Sequence, residues 1–174
     1  GVVGLGGIYQ PILLMAYRRD RWAAFLNPFA DARGSGYQII QSLIAVGTGG
    51  VSGVGLMEGR QKLFYLPYPS SDFVYAVIGE ELGLLGALAV VVAFMLFLWR
   101  GMRAALRAPD RFGMYLAGGL TTAIVIQALT NLSVVLGLFP TKGIPLPFLS
   151  AGGTSLILTL LATGVVLSVS QHAD

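Results

Sequence analysis

Residues 74–99 read VYAVIGEELGLLGALAVVVAFMLFLW, and within them only Glu80 and Glu81 carry charge. The hydrocarbon core of a bilayer is about 30 Å thick, and roughly 20 mostly apolar residues of α-helix cross it. This stretch has the length, keeps its two acids near its start, and stops at Arg100. It reads as a membrane-spanning helix, and the sequence around it repeats the pattern. Residues 1–17 make most of another span, halted by Arg18, Arg19 and Arg21. Residues 112–139 are uncharged throughout, and residues 154–170 form a short uncharged fourth. The composition agrees: 55% of the 174 residues are hydrophobic and 11% charged, with a mean hydropathy of +0.76. An ordinary soluble domain is about 25% charged. The expected fold class is an all-α integral membrane protein with about four transmembrane helices.

The connections between the spans differ in kind. Residues 18–73 form a long glycine-rich segment with six of the eleven basic residues. Residues 100–111 form a short link with four arginines, Arg100, Arg103, Arg107 and Arg111, and the helix breaker Pro109. Residues 140–153 hold Pro140, Pro145 and Pro147 with Gly143, Gly152 and Gly153, a composition that excludes a regular helix. Short basic loops face the cytoplasm, so 100–111 is expected inside, with 18–73, 140–153 outside and the C-terminus inside. The basic residues of 18–73 pull the other way, but long segments translocate with less regard to charge. Within that segment, GYQIIQSLIAVGTGG from Gly36 has apolar residues at Ile39, Ile40, Leu43, Ile44 and Val46, with Gln38, Gln41 and Ser42 on the other side. This is near-helical spacing, too short to span. It predicts an interfacial or re-entrant helix, ended by the glycines at 47, 49 and 50. The chain opens on Gly1 inside an apolar run, without the features of a signal peptide, and reads as the C-terminal portion of something longer.

The same composition removes several kinds of chemistry. The sequence has no cysteine and a single histidine, His172, which excludes thiolate catalysis, cysteine-ligated metal and a histidine-rich metal site. A formal charge of +3 is too small to point to nucleic acid. What remains is a handful of carboxylates, cations and amides. Asp72 follows two serines and precedes a helix, so it is either a helix cap or a functional acid. Glu80 lies eight residues on, about 12 Å of helical rise. That exceeds the roughly 5–9.5 Å of paired glycosidase carboxylates, so the two are not a dyad on a continuous helix. In PTKGIPLPFLSAGG, Lys142 is either a snorkelling anchor or a phosphate ligand held in a rigid loop. Arg60 and Lys62 add two cations. Gln127 and Asn131, one turn apart, serve either as helix–helix glue or as the lining of a polar cavity. GTGGVSGVG lacks the Lys-Ser/Thr ending and following helix of a phosphate loop.

Four blocks, GYQIIQSLIAVGTGGVSGVG, QKLFYLP, SDFVYAVIGEELGLLG and FPTKGIPLPFLSAGGTSL, resemble in order and spacing the C-terminal half of the SEDS family. These are the shape, elongation, division and sporulation proteins of the FtsW/RodA/SpoVE group. The TKG triplet is closer to the cell-division branch than to the elongation branch, whose residues there are less basic. The resemblance implies a peptidoglycan glycosyltransferase of about ten membrane helices in the bacterial cytoplasmic membrane, its active site on the outer side. It implies lipid II as substrate, with a class B penicillin-binding transpeptidase and other divisome proteins as partners. The family's essential aspartate maps onto Asp72 and its TKG lysine onto Lys142. Arg60, Lys62, Gln127, Asn131 and Ser150 are the further expected substrate-binding residues. A divalent cation, Mg2+ or Mn2+, is a cofactor the family leaves open, and no ligand cluster in the sequence demands it. Two positions depart from the family pattern: Tyr68, Pro69, Ser70 and Ser71 replace an acid and a histidine, and Ala151 replaces a tyrosine. Two other roles fit the same spans. One is a flippase for the lipid-linked precursor, using Glu80 and Glu81 as a path, and the other is a scaffold that recruits the transpeptidase without chemistry of its own.

Overall fold

The computed structural model describes residues 25–28, 36–55, 58, 72–140 and 143–172. The expected span at 1–17, most of segment 18–73, and Arg60, Lys62 and Lys142 fall outside these residues. The described structure contains no strand. Its helices are α1 (Tyr37–Gly49), α2 (Val74–Leu106), α3 (Arg111–Val135) and α4 (Gly153–Gln171). Of these, α2, α3 and α4 are long and apolar enough to cross a membrane, while α1, at 13 residues, is too short. The protein is an all-α membrane bundle.

Helix α2 continues past Trp99 to Leu106. Arg100 and Arg103 remain helical, their guanidinium groups 5.6 and 5.9 Å from the Trp99 ring centroid, within cation–π range. The chain turns only where Pro109 approaches, and Asp110 opens α3 by accepting the Gly113 amide at 2.8 Å, a side-chain cap. At its far end α3 stops at Val135, and Gly137, at φ 69°, takes the left-handed turn that leads to Pro140.

Inside a bilayer, lipid tails are as apolar as leucine, so helices associate through close packing of small residues. The α2–α3 interface is built this way. Ala104, Ala105, Ala117 and Ala128 are buried, and a methyl on Gly101 would overlap the Thr121 side chain. Outward-facing leucines such as Leu84, Leu85 and Leu96 are exposed, as lipid contact requires. Helix α1 packs differently from its expected apolar face. Its buried residues are Ile39, Ser42, Ala45 and Gly49, whereas Leu43 and Ile44 are exposed. Ser42 belongs to the inner face because its hydroxyl lies 2.9 Å from the Ile39 carbonyl and 3.1 Å from that of Val135 on α3. Small side chains let α1 sit close to its neighbours, and the larger ones are left facing out.

The most consequential departure from a simple span lies inside α2. Gly83 has φ 65° and ψ −158°, a conformation open essentially to glycine alone. It divides the 33-residue helix into a short first part and a second part of about 35 Å at 1.5 Å per residue, enough to span by itself. A break in a helix leaves carbonyls and amides without partners, a large cost in a medium without water. The glycine-rich stretch after α1 supplies them. Val54 and Gly55 amides donate to the Glu80 and Glu81 carbonyls at 3.0 and 3.1 Å, and the Leu84 amide donates to the Gly50 carbonyl at 2.9 Å. Gly49 and Gly53 of GTGGVSGVG therefore serve backbone docking. A Cβ on Gly49 would overlap the Gly79 carbonyl, and one on Gly53 would overlap the Glu81 carbonyl.

Candidate functional site

Asp72 lies two residues before α2, in the turn that leads into it. The helix N-cap is Phe73, and no side chain caps the end. The capping role open to Asp72 in the sequence is thus not the one it fills. Among the described residues its carboxylate makes no hydrogen bond, and the residue is half-buried.

What holds Asp72 comes from α3. The Asn131 amide nitrogen donates to the Asp72 carbonyl at 2.9 Å and to the Ile144 carbonyl at 2.6 Å. One turn earlier, the Gln127 amide nitrogen donates to the Pro145 carbonyl at 2.9 Å. The i, i+4 spacing puts both amides on one face of the helix, where they staple the loop after α3 to the turn before α2. Both expected substrate-binding amides direct these donors to backbone carbonyls, so their geometry is that of positioning residues. Asn131 is 1% exposed, and its amide joins the two halves of the site. An Asn131→Leu variant would strip both carbonyls of their donor while shutting out water. Each unsatisfied buried group costs about 1–3 kcal/mol, so the melting temperature in detergent should fall. An unchanged melting temperature would mean that the amide holds nothing together.

The loop at 143–150 is itself rigid. Leu146 and Pro147 are buried, and the Ser150 amide closes a turn onto the Leu146 carbonyl at 3.0 Å. Ser150, another expected substrate-binding residue, is 6% exposed, which makes it part of the loop's foundation. Phe148 has φ 66°, uncommon for a bulky residue. Its ring packs edge-on to Phe97 at 5.7 Å and tilted against Phe94 at 6.4 Å, measured between centroids, so the loop is pinned to α2 as well as to α3. Sequence reading missed both Phe148 and the glycine next to Lys142. Gly143 comes so close to the aspartate that a Cβ there would lie 2.9 Å from Asp72 Oδ2. The only hint was a glycine directly beside the basic residue in TKG. Gly143, directly after Lys142, thus runs past the Asp72 carboxylate, although Lys142 itself, like Arg60 and Lys62, is outside the described residues.

Below this loop an apolar cavity of about 570 Å³ opens between α2 and the turn, lined by Ile78, Leu82, Val90, Phe94, Pro147 and Phe148, among others. The end of the bundle that carries Asp72 therefore offers a carboxylate with no hydrogen bond among the described residues, a rigid loop beside it and an apolar recess. Among the described residues no three His, Asp or Glu side chains converge to hold a metal ion.

Comparison with known proteins places the chain in a family. Residues 2–174 match the family described as "Cell cycle protein", FtsW/RodA/SpoVE. The chain is 50% identical over 173 residues to the stage V sporulation protein E of Bacillus subtilis (strain 168), covering 99% of this chain and 47% of that protein. It is also 50% identical over 171 residues to the probable peptidoglycan glycosyltransferase FtsW of Geobacter metallireducens, covering 98% of this chain and 46% of the relative. A solved structure described as "Structural coordination of polymerization and crosslinking by a peptidoglycan synthase complex" contains a chain that aligns with a TM-score of 0.67 at 33% identity. That alignment covers 97% of this chain and 48% of the solved one. The chain spans about half the length of the relatives it matches, and it belongs to the FtsW/RodA/SpoVE (SEDS) family.

Proposed function

We propose that this chain carries the catalytic end of a peptidoglycan glycosyltransferase that polymerises lipid II in the bacterial cytoplasmic membrane, with Asp72 as general base on the outer side. The observation that carries the reading is the Asp72 carboxylate. It is uncommitted among the described residues, anchored through its backbone by Asn131, and set beside a loop that bears a lysine. Homologues named as probable peptidoglycan glycosyltransferases support the reaction class.

The chemistry asks little more of the protein. The donor sugar already bears a pyrophosphate leaving group, so a second carboxylate acting as acid is unnecessary. Asp72 takes the proton from the acceptor's 4-hydroxyl, and the resulting oxygen attacks the anomeric carbon of the donor. The bond to the pyrophosphate breaks, undecaprenyl pyrophosphate leaves, and the α-linked donor becomes a β-1,4 link by inversion. Lys142 is the proposed cation that steadies the departing diphosphate, with Arg60 and Lys62 as further cationic contacts. The apolar cavity beneath Phe148 suits the polyprenyl chain of such a substrate, and Gln127, Asn131 and Ser150 hold the frame around it. Partners follow by the same reasoning: a class B penicillin-binding transpeptidase and other division proteins, which crosslink and place the strand.

The direct test supplies the full-length protein and its transpeptidase with lipid II in detergent and looks for glycan chains and released undecaprenyl pyrophosphate. Movement of unaltered lipid II across vesicles without polymer would make the protein a flippase. Recruitment of the transpeptidase without either would make it a scaffold. A finer test uses Gly143→Ala. The added methyl displaces a flexible carboxylate tip, so folding should be unaffected while the base shifts. A 1 Å misplacement can cost about 10²-fold in rate. Polymerisation should fall toward that extent at an unchanged melting temperature, and a wild-type rate would place the working base elsewhere.

A further inference from the structure

At the end of the bundle opposite Asp72, α2 and α3 part around a groove of about 610 Å³ that plays no role in the reaction above. Met102 and Leu106 of α2 and Met114, Tyr115, Gly119 and Ile126 of α3 are among its lining residues. From Met114 to Ile126 it runs along twelve residues of α3, about 18 Å at 1.5 Å per residue. One leaflet of a bilayer has about 15 Å of hydrocarbon, half of the ~30 Å core. The groove is therefore as long as one leaflet is deep. It widens because Gly118 and Gly119 bring no side chain to it, and a Cβ on Gly119 would meet nothing within 4 Å.

Four arginines gather at the loop end of the same groove, beside its lining residues rather than among them. Arg107 follows the groove residue Leu106 directly. Arg111 begins α3 on the face that carries Met114, Tyr115 and Gly118, three, four and seven residues on. Arg103 and Arg100 stand one and two turns back along α2 and are turned onto Trp99. All four arginines are exposed. The one acid among them, Asp110, is engaged with the Gly113 amide at 2.8 Å. Arginine presents planar, paired donors that match phosphate, and basic pockets between membrane helices bind anionic headgroups. Simple snorkelling anchors would need neither a groove below them nor a headgroup of one sign.

We propose that this groove is a binding site for an anionic diacyl phospholipid, with an acyl chain lying along Gly118 and Gly119 and the phosphate met by Arg107 and Arg111. Charge complementarity selects this occupant over a protein helix, which would cross the same leaflet but brings no phosphate for the arginines to meet. The proposal is independent of the glycosyltransferase reading, since it concerns the other end of the bundle.

The test is native mass spectrometry of the full-length protein in detergent, titrated separately with dioleoyl phosphatidylglycerol and dioleoyl phosphatidylcholine. The wild type should retain phosphatidylglycerol at least about tenfold more tightly. The double variant Arg107→Gln/Arg111→Gln should erase that preference, leaving the two lipids alike. Gly119→Leu, which fills open space rather than striking a neighbour, should lower phosphatidylglycerol occupancy with every arginine in place, and it decides the matter if the double variant does not insert. Equal binding of the two lipids by the wild type would overturn the site, as would a phosphatidylglycerol preference that survives Gly119→Leu undiminished.

Discussion

With Asn in place of Asp72, the full-length protein should polymerise lipid II about 10²–10⁴-fold more slowly, the range over which a positioned general base contributes. The substitution is nearly isosteric. It leaves the backbone carbonyl that Asn131 holds at 2.9 Å and the start of α2 untouched, because the carboxylate does not cap that helix. What is lost is the ability to take a proton from the acceptor hydroxyl. Substrate capture, melting temperature and association with the transpeptidase should therefore stay near wild type while turnover collapses. Glycan chains resolved by electrophoresis after timed incubation with lipid II measure it. A normal rate of chain growth with Asp72→Asn would remove the base from the mechanism, whatever the fold.

The largest effect on stability is expected at Gly83. A Cβ there would overlap the Gly53 amide nitrogen and lie 2.7 Å from the Val51 carbonyl oxygen. Both are backbone atoms and neither can swing aside as a side chain does. The conformation itself, φ 65° and ψ −158°, adds about 1–3 kcal/mol for any residue with a Cβ. To accept Gly83→Val the loop at 50–55 must lift away from α2, and the carbonyls of Glu80 and Glu81 then lose the amides of Val54 and Gly55. The sum is several kcal/mol, comparable with the whole stability of many domains. The variant should be recovered at a small fraction of wild-type abundance or melt far lower in detergent. Gly164→Ala is the control, since a Cβ there meets nothing within 4 Å and alanine favours the helix by about 1 kcal/mol. If Gly83→Val and Gly164→Ala melt alike, the docked loop is not what holds the broken helix.

Much of the fold was open to reading without coordinates. The uncharged runs at 112–139 and 154–170 announce their helices because crossing a bilayer depends on local composition. Pro109 and Pro140 mark the connections by backbone chemistry that is equally local, whereas the Asp110 cap and the turn at Gly137 emerged from the structure. The short helix from Gly36 was visible in its spacing, but which residues it would turn inward was not. The apolar side held Ile39, Ile40, Leu43, Ile44 and Val46, whereas packing buried Ile39 with Ser42, Ala45 and Gly49. In lipid an apolar side chain gains little by turning inward, so closeness of approach decides the face.

The site divides along the same line. Asp72 and the TKG loop stood out as a lone acid and a lone cation between spans. By itself the sequence determined that this chain lies in a membrane and where its long apolar helices fall, and it singled out a few candidate residues for chemistry, since each of these follows from neighbours along the chain. Tertiary structure alone decided that Asn131 grips Asp72, 59 residues away, that Gly143 closes on its carboxylate, and that a glycine-rich loop mends the break at Gly83. Those are hydrogen bonds and steric contacts between distant segments, and the partner of a backbone carbonyl is chosen by where helices come to rest against one another.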